Sequence, residues 1–272
     1  MKSLIHHLYK AIILVMVVML GACATTQQNE RVARIDPLEP MNRAVFTFNE
    51  NLDQYLVKPA AEAYKFVMPD AVRRGVTNFF SNIGDIFVAA NNLLQGKPKE
   101  ATSDIGRFLV NSTIGILGLF DVATDIGLDK HAEDFGQTMA FWGVSSGPYV
   151  VLPFFGPSTV RDSVGLWVDT KTDVNQQVSD IGARNTLTVL RLTDKRERYL
   201  SLSDAVKQAS LDPYTFTRDA YLQKRLNDIY DGNPPMLDDF DDPEQPAPMV
   251  APNRPSASPA VPAKSAAPEA KP

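Results

Sequence analysis

Hydrophobic residues in the middle of the chain recur at spacings of three and four, which is the period of an amphipathic helix. The first such stretch follows DPLE (36–39), where Asp36 is expected to cap the helix and Glu39 to complete a capping box. Its apolar face comprises positions 38, 41, 45, 48, 52 and 55, and Pro59 is expected to end it. The pattern predicts that the folded part of the chain begins with a helix.

The same signals for helix starts and ends recur further along the chain. Pro69 and the pair Asp212-Pro213 are expected to begin helices, Ser158 to cap another, and Gly96 to end one in the left-handed conformation. A basic helix is predicted over residues 186–200. Alternation of apolar and polar residues is almost absent, so no large sheet is expected. The pattern predicts an all-α fold, with one folded domain over residues 36–230.

Two uncharged runs interrupt this pattern. The first uncharged run is FLVNSTIGILGLF (108–120), between Arg107 and Asp121, and the second is YVVLPFF (149–155). Both are too short to cross a bilayer as a helix, which takes about 20 residues. Each run could be a buried core segment or a surface that contacts lipid, and the sequence alone leaves both interpretations open.

The first residues have the pattern of a secretory signal: a basic head, ten apolar residues (11–20) and then LGAC (20–23). Cys23 is the only cysteine, and the motif around it resembles the lipobox of bacterial lipoproteins. We predict a signal peptide over 1–22, acylation of Cys23, and a polar tether up to residue 35. Ala24 stands where an aspartate would retain a lipoprotein at the inner membrane. By resemblance to that sorting rule, the anchor is expected in the periplasmic leaflet of a Gram-negative outer membrane.

The last part of the chain is rich in proline and alanine. Residues 231–272 contain 11 of the 20 prolines and little apolar bulk. Such a composition cannot bury enough surface to form a core, so this tail is predicted to be disordered. A spacer without a partner of its own is the preferred interpretation, and a docking segment is the alternative.

Composition excludes several classes of function. With 44% hydrophobic and 22% charged residues the balance is that of an ordinary globular protein. A net charge of −5 without a strongly basic patch argues against nucleic acid as a partner. His131 is the single histidine outside the signal, and no zinc spacing or phosphate-binding loop occurs. No metal site is predicted, and no cofactor other than the covalent lipid on Cys23.

One motif suggests catalysis. The stretch GVSSG (143–147) fits G-x-S-x-G, the nucleophile elbow of esterases and lipases. In that elbow the catalytic histidine follows the serine, whereas His131 precedes Ser145. A hydroxyl without a base is a weak nucleophile, so a glycine-rich turn is preferred and no catalytic residue is predicted. An envelope lipase or esterase that uses Ser145 is the enzymatic alternative, and a structural lipoprotein with a spacing tail is the third hypothesis.

Several long motifs, in order, closely resemble the MlaA family, also called VacJ, of outer-membrane lipoproteins. They are DPLEPMNRAVFTFNENLD (36–53), NFFSNI (78–83), NNLLQGKP (91–98), GRFLVNSTIGILGLFDVA (106–123), EDFGQT (133–138), WGV (142–144), GPYVVLPFFGPSTVRD (147–162) and DPYTFTRDAY (212–221). The resemblance implies a ring-like helical domain embedded in one membrane leaflet, with an amphipathic central channel. It also implies that phospholipids misplaced in the outer leaflet pass through the channel to a periplasmic lipid carrier, that the ring sits beside trimeric porins, and that no reaction is catalysed.

Two groups of residues are candidates for contacts with phospholipid. Charges that flank apolar segments could bind headgroups, with internal ion pairing as the alternative: Arg107, Asp121, Arg161 and Asp162. Residues of the first helix are hypothesised to border the channel and influence its opening: Asn42, Arg43, Phe46, Phe48 and Asn49.

Overall fold

The structure, a computed structural model, describes residues 36–235. Within that range the chain forms α1 (Glu39–Leu52), a π-helical turn (Asp53–Val57), α2 (Lys58–Val67), α3 (Asp70–Leu94), α4 (Pro98–Thr113), α5 (Val122–Asp125), α6 (Phe135–Phe141), β1 (Tyr149–Leu152), β2 (Gly156–Thr159), α7 (Val160–Thr172), a 3-10 turn (Val174–Gln177), α8 (Ile181–Arg198), α9 (Leu200–Ala209) and α10 (Pro213–Ile229). The fold is mostly helical, as predicted. Cys23, the tether and the tail beyond residue 235 lie outside the described residues.

The first helix differs from its prediction at both ends. Asp36 does not cap it: Leu38 is at the cap position without a side-chain hydrogen bond, and Asp36 is buried. Pro59 does not end it, because the chain continues through the π-helical turn directly into α2. Proline has no N–H to donate, and in the wider turn the N–H of Lys58 reaches the carbonyl of Asp53. The proline therefore changes the helical pitch without ending the helix.

Helices α3 and α4 pack against each other through buried polar residues, which we call the polar seam: Asn82, Asp85 and Asn92 of α3 with Asp104, Arg107 and Asn111 of α4. The amide of Asn92 donates to Asp104 at 2.8 Å, and the Arg107 guanidinium lies 3.6 Å from the Asp85 carboxylate. Because the polar residues occupy the contact between the helices, apolar residues such as Ile86 and Leu109 are left on the outside. This arrangement is the reverse of an ordinary helix pair.

The second uncharged run forms half of a small antiparallel hairpin, a departure from a purely helical fold. β1 pairs with β2 in the register Tyr149 to Thr159 and Leu152 to Gly156. Tyr149 and Val151 point into a small core with Tyr214. The helix that follows is capped by Thr159, one residue after the predicted Ser158.

The other predicted helix boundaries are close to those observed. α3 begins directly after Pro69, Gly96 follows it with a φ of 73°, and Asp212 caps α10 by accepting from two backbone N–H groups. The predicted basic helix is α8, which begins five residues before position 186 and ends at Arg198. In residues 36–235 no helix combines the length and the hydrophobicity needed to cross a membrane.

The distribution of polarity across the domain is inverted. Among the described residues, 19 polar or charged residues are buried, against 10 hydrophobic ones. Large hydrophobic side chains are instead exposed at 34 positions. The most exposed of them are Tyr55, Phe66, Val67, Leu117, Phe154 and Leu211. An apolar surface of this extent marks contact with a membrane or another protein.

Candidate functional site

Two asparagines of α1 hold the outer edge of the hairpin, and we call them the amide clasp. The Asn42 side chain donates to the carbonyl of Tyr149 at 3.1 Å and accepts from the N–H of Val151 at 2.8 Å. One heptad later, Asn49 donates to the carbonyl of Leu152 and accepts from the N–H of Phe154. Each amide thus presents one donor and one acceptor, as a neighbouring strand would. The clasp fixes the position of the second uncharged run on α1.

Behind the clasp, Asp36 is a buried hub. It accepts a hydrogen bond of 2.7 Å from Asn42, another from the hydroxyl of Tyr214, and a contact of 3.5 Å from Arg218. Burial, followed by the hydrogen bond to Asp36, raises the pKa of Tyr214. This is why Asp36 cannot serve as a helix cap: its carboxylate is committed to α10, and it ties the start of α1 to that helix.

Arg43 and Phe46 extend the connection between α1 and α10. The Arg43 guanidinium binds both oxygens of Asp212, at 2.8 and 3.2 Å, and lies 4.3 Å from the centre of the Tyr214 ring. The hydrogen bond from Arg43 is the main reason that the pKa of Asp212 is lowered. Phe46 meets Tyr214 edge to face. These two candidates for the channel border are therefore anchors for α10, and each is only partly exposed.

Phe48 lies on the outer side of the clasp. Its ring meets that of Phe154 edge to face at 5.5 Å, and both rings are largely exposed. Phe155 beside them is exposed as well. The clasp thus separates the second uncharged run into a buried half, which contains Tyr149 and Val151, and an exposed aromatic half.

The candidate headgroup residue Arg107 is fully buried and paired within the protein. It binds both oxygens of Asp121, at 2.8 and 2.9 Å, and donates to the carbonyl of Leu128 and the hydroxyl of Thr124. Burial alone would raise the pKa of Asp121, but hydrogen bonds from Thr124, Asn111 and Arg107 outweigh it and lower the value to about 2. Since Arg107 precedes the first uncharged run and Asp121 follows it, their ion pair holds together the two ends of the run, which comprises the last turns of α4 (108–113) and the loop that follows (114–120). This geometry favours the alternative of internal pairing.

Arg161 and Asp162 are also buried, in a second internal cluster. Arg161 and Arg225 both donate to the same oxygen of Asp162 at 2.9 Å, and the Tyr221 hydroxyl donates to its other oxygen. Arg225 also binds both oxygens of Asp134, the cap of α6. Burial opposes the ionised form of Asp162, yet the hydrogen bond from Arg225 keeps its pKa lowered. The cluster joins α6, α7 and α10, so it also favours internal pairing.

Ser145 lies in a setting unlike a nucleophile elbow. It is exposed in a turn between α6 and β1, flanked by Gly143 and Gly147 with φ values of 85° and 66°. An elbow runs from a strand into a helix, whereas here a helix leads into a strand. His131 is paired with Asp104 of the polar seam at 3.0 Å. In residues 36–235 no three histidine, cysteine or carboxylate side chains gather as metal ligands.

The polar seam was missed by the reasoning from sequence. Its signal is present, because Asn82, Asp85 and Asn92 recur on α3 at intervals of three and seven. That spacing normally identifies the apolar face of a helix, so a search for hydrophobic periodicity passes over it. Polar residues at helix positions that are normally buried and apolar are therefore the sequence signal of a domain whose interior is polar.

Comparison with known proteins shows which family this chain is similar to. The family model described as MlaA lipoprotein matches residues 34–228. The Escherichia coli protein called intermembrane phospholipid transport system lipoprotein MlaA is 35% identical over 210 residues, which cover 76% of this chain and 82% of that protein. Its Haemophilus influenzae namesake is 31% identical over 220 residues, covering 78% and 87%. An uncharacterized protein of Rickettsia typhi is 38% identical over 192 residues, covering 70% and 76%.

A solved structure gives the same result. A chain described under the words "Structural basis for maintenance of bacterial outer membrane lipid asymmetry" superposes with a TM-score of 0.64 and is 34% identical, covering 74% of this chain and all of that one. The resemblance drawn from the sequence motifs is confirmed by the family model, the relatives and the structure together. The chain belongs to the MlaA lipoprotein family.

Proposed function

We propose that this protein is the outer-membrane component of a phospholipid transport system, and that it removes phospholipids misplaced in the outer leaflet. The observation that carries the proposal is the inverted polarity of the domain: buried charge and amide networks inside, exposed apolar side chains outside. The names of the Escherichia coli and Haemophilus influenzae relatives, which specify intermembrane phospholipid transport, support it.

The physical task explains why such a domain is inverted. A phospholipid headgroup loses several kcal/mol or more of hydration free energy when it enters hydrocarbon without polar partners. A domain that is apolar outside can rest in a leaflet, while polar groups inside offer the headgroup a path. We propose that this path is an amphipathic channel through a ring of helices. Without an energy source it only lets lipid move down its gradient, so no catalysis is required.

The amide clasp is the element best placed to control such a path. It connects α1 to the hairpin through four hydrogen bonds, two to each asparagine. Opening the clasp would free the hairpin and with it Phe154 and Phe155, without breaking the buried Arg107 and Arg161 clusters. We propose that the state of the clasp influences how far the path is open, which deepens the hypothesis made for residues 42–49.

The anchor and the partners follow from the same proposal. Acyl chains on Cys23 would hold the domain at the periplasmic leaflet of the outer membrane, because two or more chains give stable attachment. A soluble periplasmic carrier is needed to receive lipid, since free phospholipid is insoluble between the two membranes. Trimeric porins are the proposed neighbours of the ring, with the exposed apolar surface as the contact.

The amount of phospholipid in the outer leaflet of the outer membrane tests the proposal. A deletion strain is compared with strains restored by the wild type and by Ser145→Ala. We expect deletion to raise the amount of outer-leaflet phospholipid and both proteins to restore it. Restoration by wild type alone would indicate a lipase that depends on Ser145. No change on deletion would contradict the transport role and favour a structural lipoprotein.

A further inference from the structure

A cavity of about 250 Å³ lies between the first turns of α3 and the end of α8, apart from the clusters described above. Three arginines line it, Arg73, Arg74 and Arg198, together with the carboxylates of Asp70 and Glu197. This volume is many times the roughly 10–15 Å³ of such space that one water needs. The cavity is therefore large enough for a phosphate group, and its lining is rich in donors.

Both carboxylates of the cavity are paired with Arg73, and Glu197 is also close to Lys65. Arg73 donates to Asp70 at 2.7 Å and lies 3.6 Å from Glu197, which is also 3.8 Å from Lys65. The same Arg73 side chain donates to the carbonyls of Lys65 and Met68 at the end of α2. Arg73 is thus a structural residue that joins α2 to α3, and it leaves little negative charge uncompensated in the cavity.

The other two arginines retain free donors. Arg74 is exposed, and within residues 36–235 it has no ion pair and no side-chain hydrogen bond. Arg198 has a single weak contact, 3.5 Å to Asp194, and that carboxylate already accepts from the hydroxyl of Thr77. The N-terminus of α3 and the C-terminus of α8 both lie at the cavity, so the opposite ends of the two helix dipoles offset each other. The net positive charge of the site therefore comes from Arg74 and Arg198.

An exposed apolar segment lies next to Arg73, which donates to the carbonyls of Lys65 and Met68 on either side of it. Phe66 and Val67 end α2 with 92% and 69% of their surface accessible, and Val72 is exposed in the first turn of α3. A single ligand could place an anionic group between the arginines and an apolar chain over Phe66. This combination of a polar pocket with an apolar border fits an amphiphile better than a soluble anion.

We propose that Arg74 and Arg198 bind the phosphodiester of a phospholipid, whose acyl chains lie over Phe66 and Val67. The inference rests on the proposed function and adds a headgroup site to it. Guanidinium groups bind phosphate oxygens in pairs of charge-assisted hydrogen bonds, so any phosphodiester headgroup would be accepted and an anionic one preferred. This site differs from the buried arginines Arg107 and Arg161, whose donors are used internally.

The test measures binding to the full chain in detergent micelles, with dihexanoyl phosphatidylglycerol, glycerol phosphate and inorganic phosphate as probes. The double variant Arg74→Ala/Arg198→Ala is compared with Lys99→Ala/Lys171→Ala, which removes the same charge from exposed positions elsewhere. We expect the arginine variant to weaken binding of the lipid at least about tenfold and the lysine variant to leave it unchanged. Phe66→Ser should weaken binding of the lipid but not of glycerol phosphate.

The outcomes that would overturn the inference are distinct from those that concern the transport role. Equal lipid binding by the arginine variant and the wild type contradicts the site, provided that both have the same melting temperature. If inorganic phosphate or glycerol phosphate binds as tightly as the lipid, the ligand is a soluble phosphate and not a phospholipid. In either case the deletion strain would still accumulate outer-leaflet phospholipid, so the transport proposal would stand while the headgroup site failed.

Discussion

The two uncharged runs look alike in the sequence but are held in different ways. The first run, 108–120, is closed by its own flanking ion pair, Arg107 with Asp121, and its Ile114, Leu117 and Phe120 are exposed. The second run, 149–155, is held by the amide clasp from a distant helix; its strand residues alternate between buried and half-buried, and residues 153–155 are exposed. An uncharged run therefore does not by itself indicate core or surface. The contacts that hold the two ends of a run decide which of its side chains are buried.

Both runs contain backbone strain, but the first has two adjacent strained residues whereas the second has one, Phe154, with a φ of 69°. Ile116 and Leu117 have φ values of 52° and 56°, a conformation that is uncommon for any residue other than glycine and rarest for a β-branched one such as isoleucine. Gly118, at 86°, packs so closely on Asn82 that a Cβ would come within 2.7 Å of that side chain. The strained backbone turns the side chains of Ile116 and Leu117, the tip of the first run, towards the exposed surface. The proposed contact with lipid would account for this strain.

The largest expected effect is a loss of stability when a charge is placed in the buried half of the second run, compared with the same charge at the tip of the first. Val151→Asp places a charge in the core of Tyr149 and Tyr214 and should lower the free energy of unfolding by about 4 kcal/mol or more. Leu117→Asp is the matched control, since the side chain is exposed and aspartate tolerates a positive φ. Thermal unfolding in detergent measures both. Equal destabilisation would contradict the difference between the runs.

Breaking the ion pair that closes the first run should have the next largest effect. Arg107→Met leaves Asp121 and Asp85 without their guanidinium partner, and removing one member of a buried pair typically costs about 3–5 kcal/mol. Lys99→Met, at an exposed position of the same helix, should change stability little. The free energy of unfolding of both variants is measured by denaturant titration. A small effect at Arg107 would mean that the loop is closed by other contacts.

Opening the amide clasp should lower the stability less than the two changes above, but it should alter the rate of lipid flow. Asn42→Ala leaves the N–H of Val151 and the carbonyl of Tyr149 without partners, at a cost of about 2–3 kcal/mol. Asn49→Ala should cost about 1 kcal/mol, because that side chain is only partly buried. If the clasp controls the path, both variants change the rate at which outer-leaflet phospholipid is cleared. Unchanged clearance by folded variants would contradict that role.

The difference between the runs also explains what the sequence could and could not predict. Helix starts at Pro69 and Asp212 were predictable because they depend on local chemistry. Asp36 was misassigned because its carboxylate is taken by Tyr214, 178 positions away, and such a partner is invisible to local pattern. The headgroup candidates Arg107 and Arg161 were chosen for their position beside apolar segments. Whether a charge there faces lipid or a carboxylate depends on tertiary contacts that no spacing reveals.

The smallest expected effect is a change of melting temperature with pH, caused by protonation of Asp121 in the ion pair that closes the first run. Asp121 has a folded-state pKa of about 2, below the value near 4 of an unfolded chain. Its contribution to stability is therefore complete above about pH 4 and is lost as the pH falls through about 2. Asp121→Asn should lower the melting temperature at pH 6, and the gap from wild type should narrow at pH 2.5.

Asp125→Asn provides the control for this comparison, because Asp125 is exposed and, in the part of the chain that the structure describes, forms no ion pair. Its gap from wild type should stay near zero at both pH values. Other carboxylates held by arginines, such as Asp134 and Asp162, lose their charge in acid in every variant, so their effect cancels in the difference. A gap between wild type and Asp121→Asn that stays constant from pH 6 to pH 2.5 would show that hydrogen-bond geometry, and not charge, closes the run. The first run would then be held by the same kind of contact as the second.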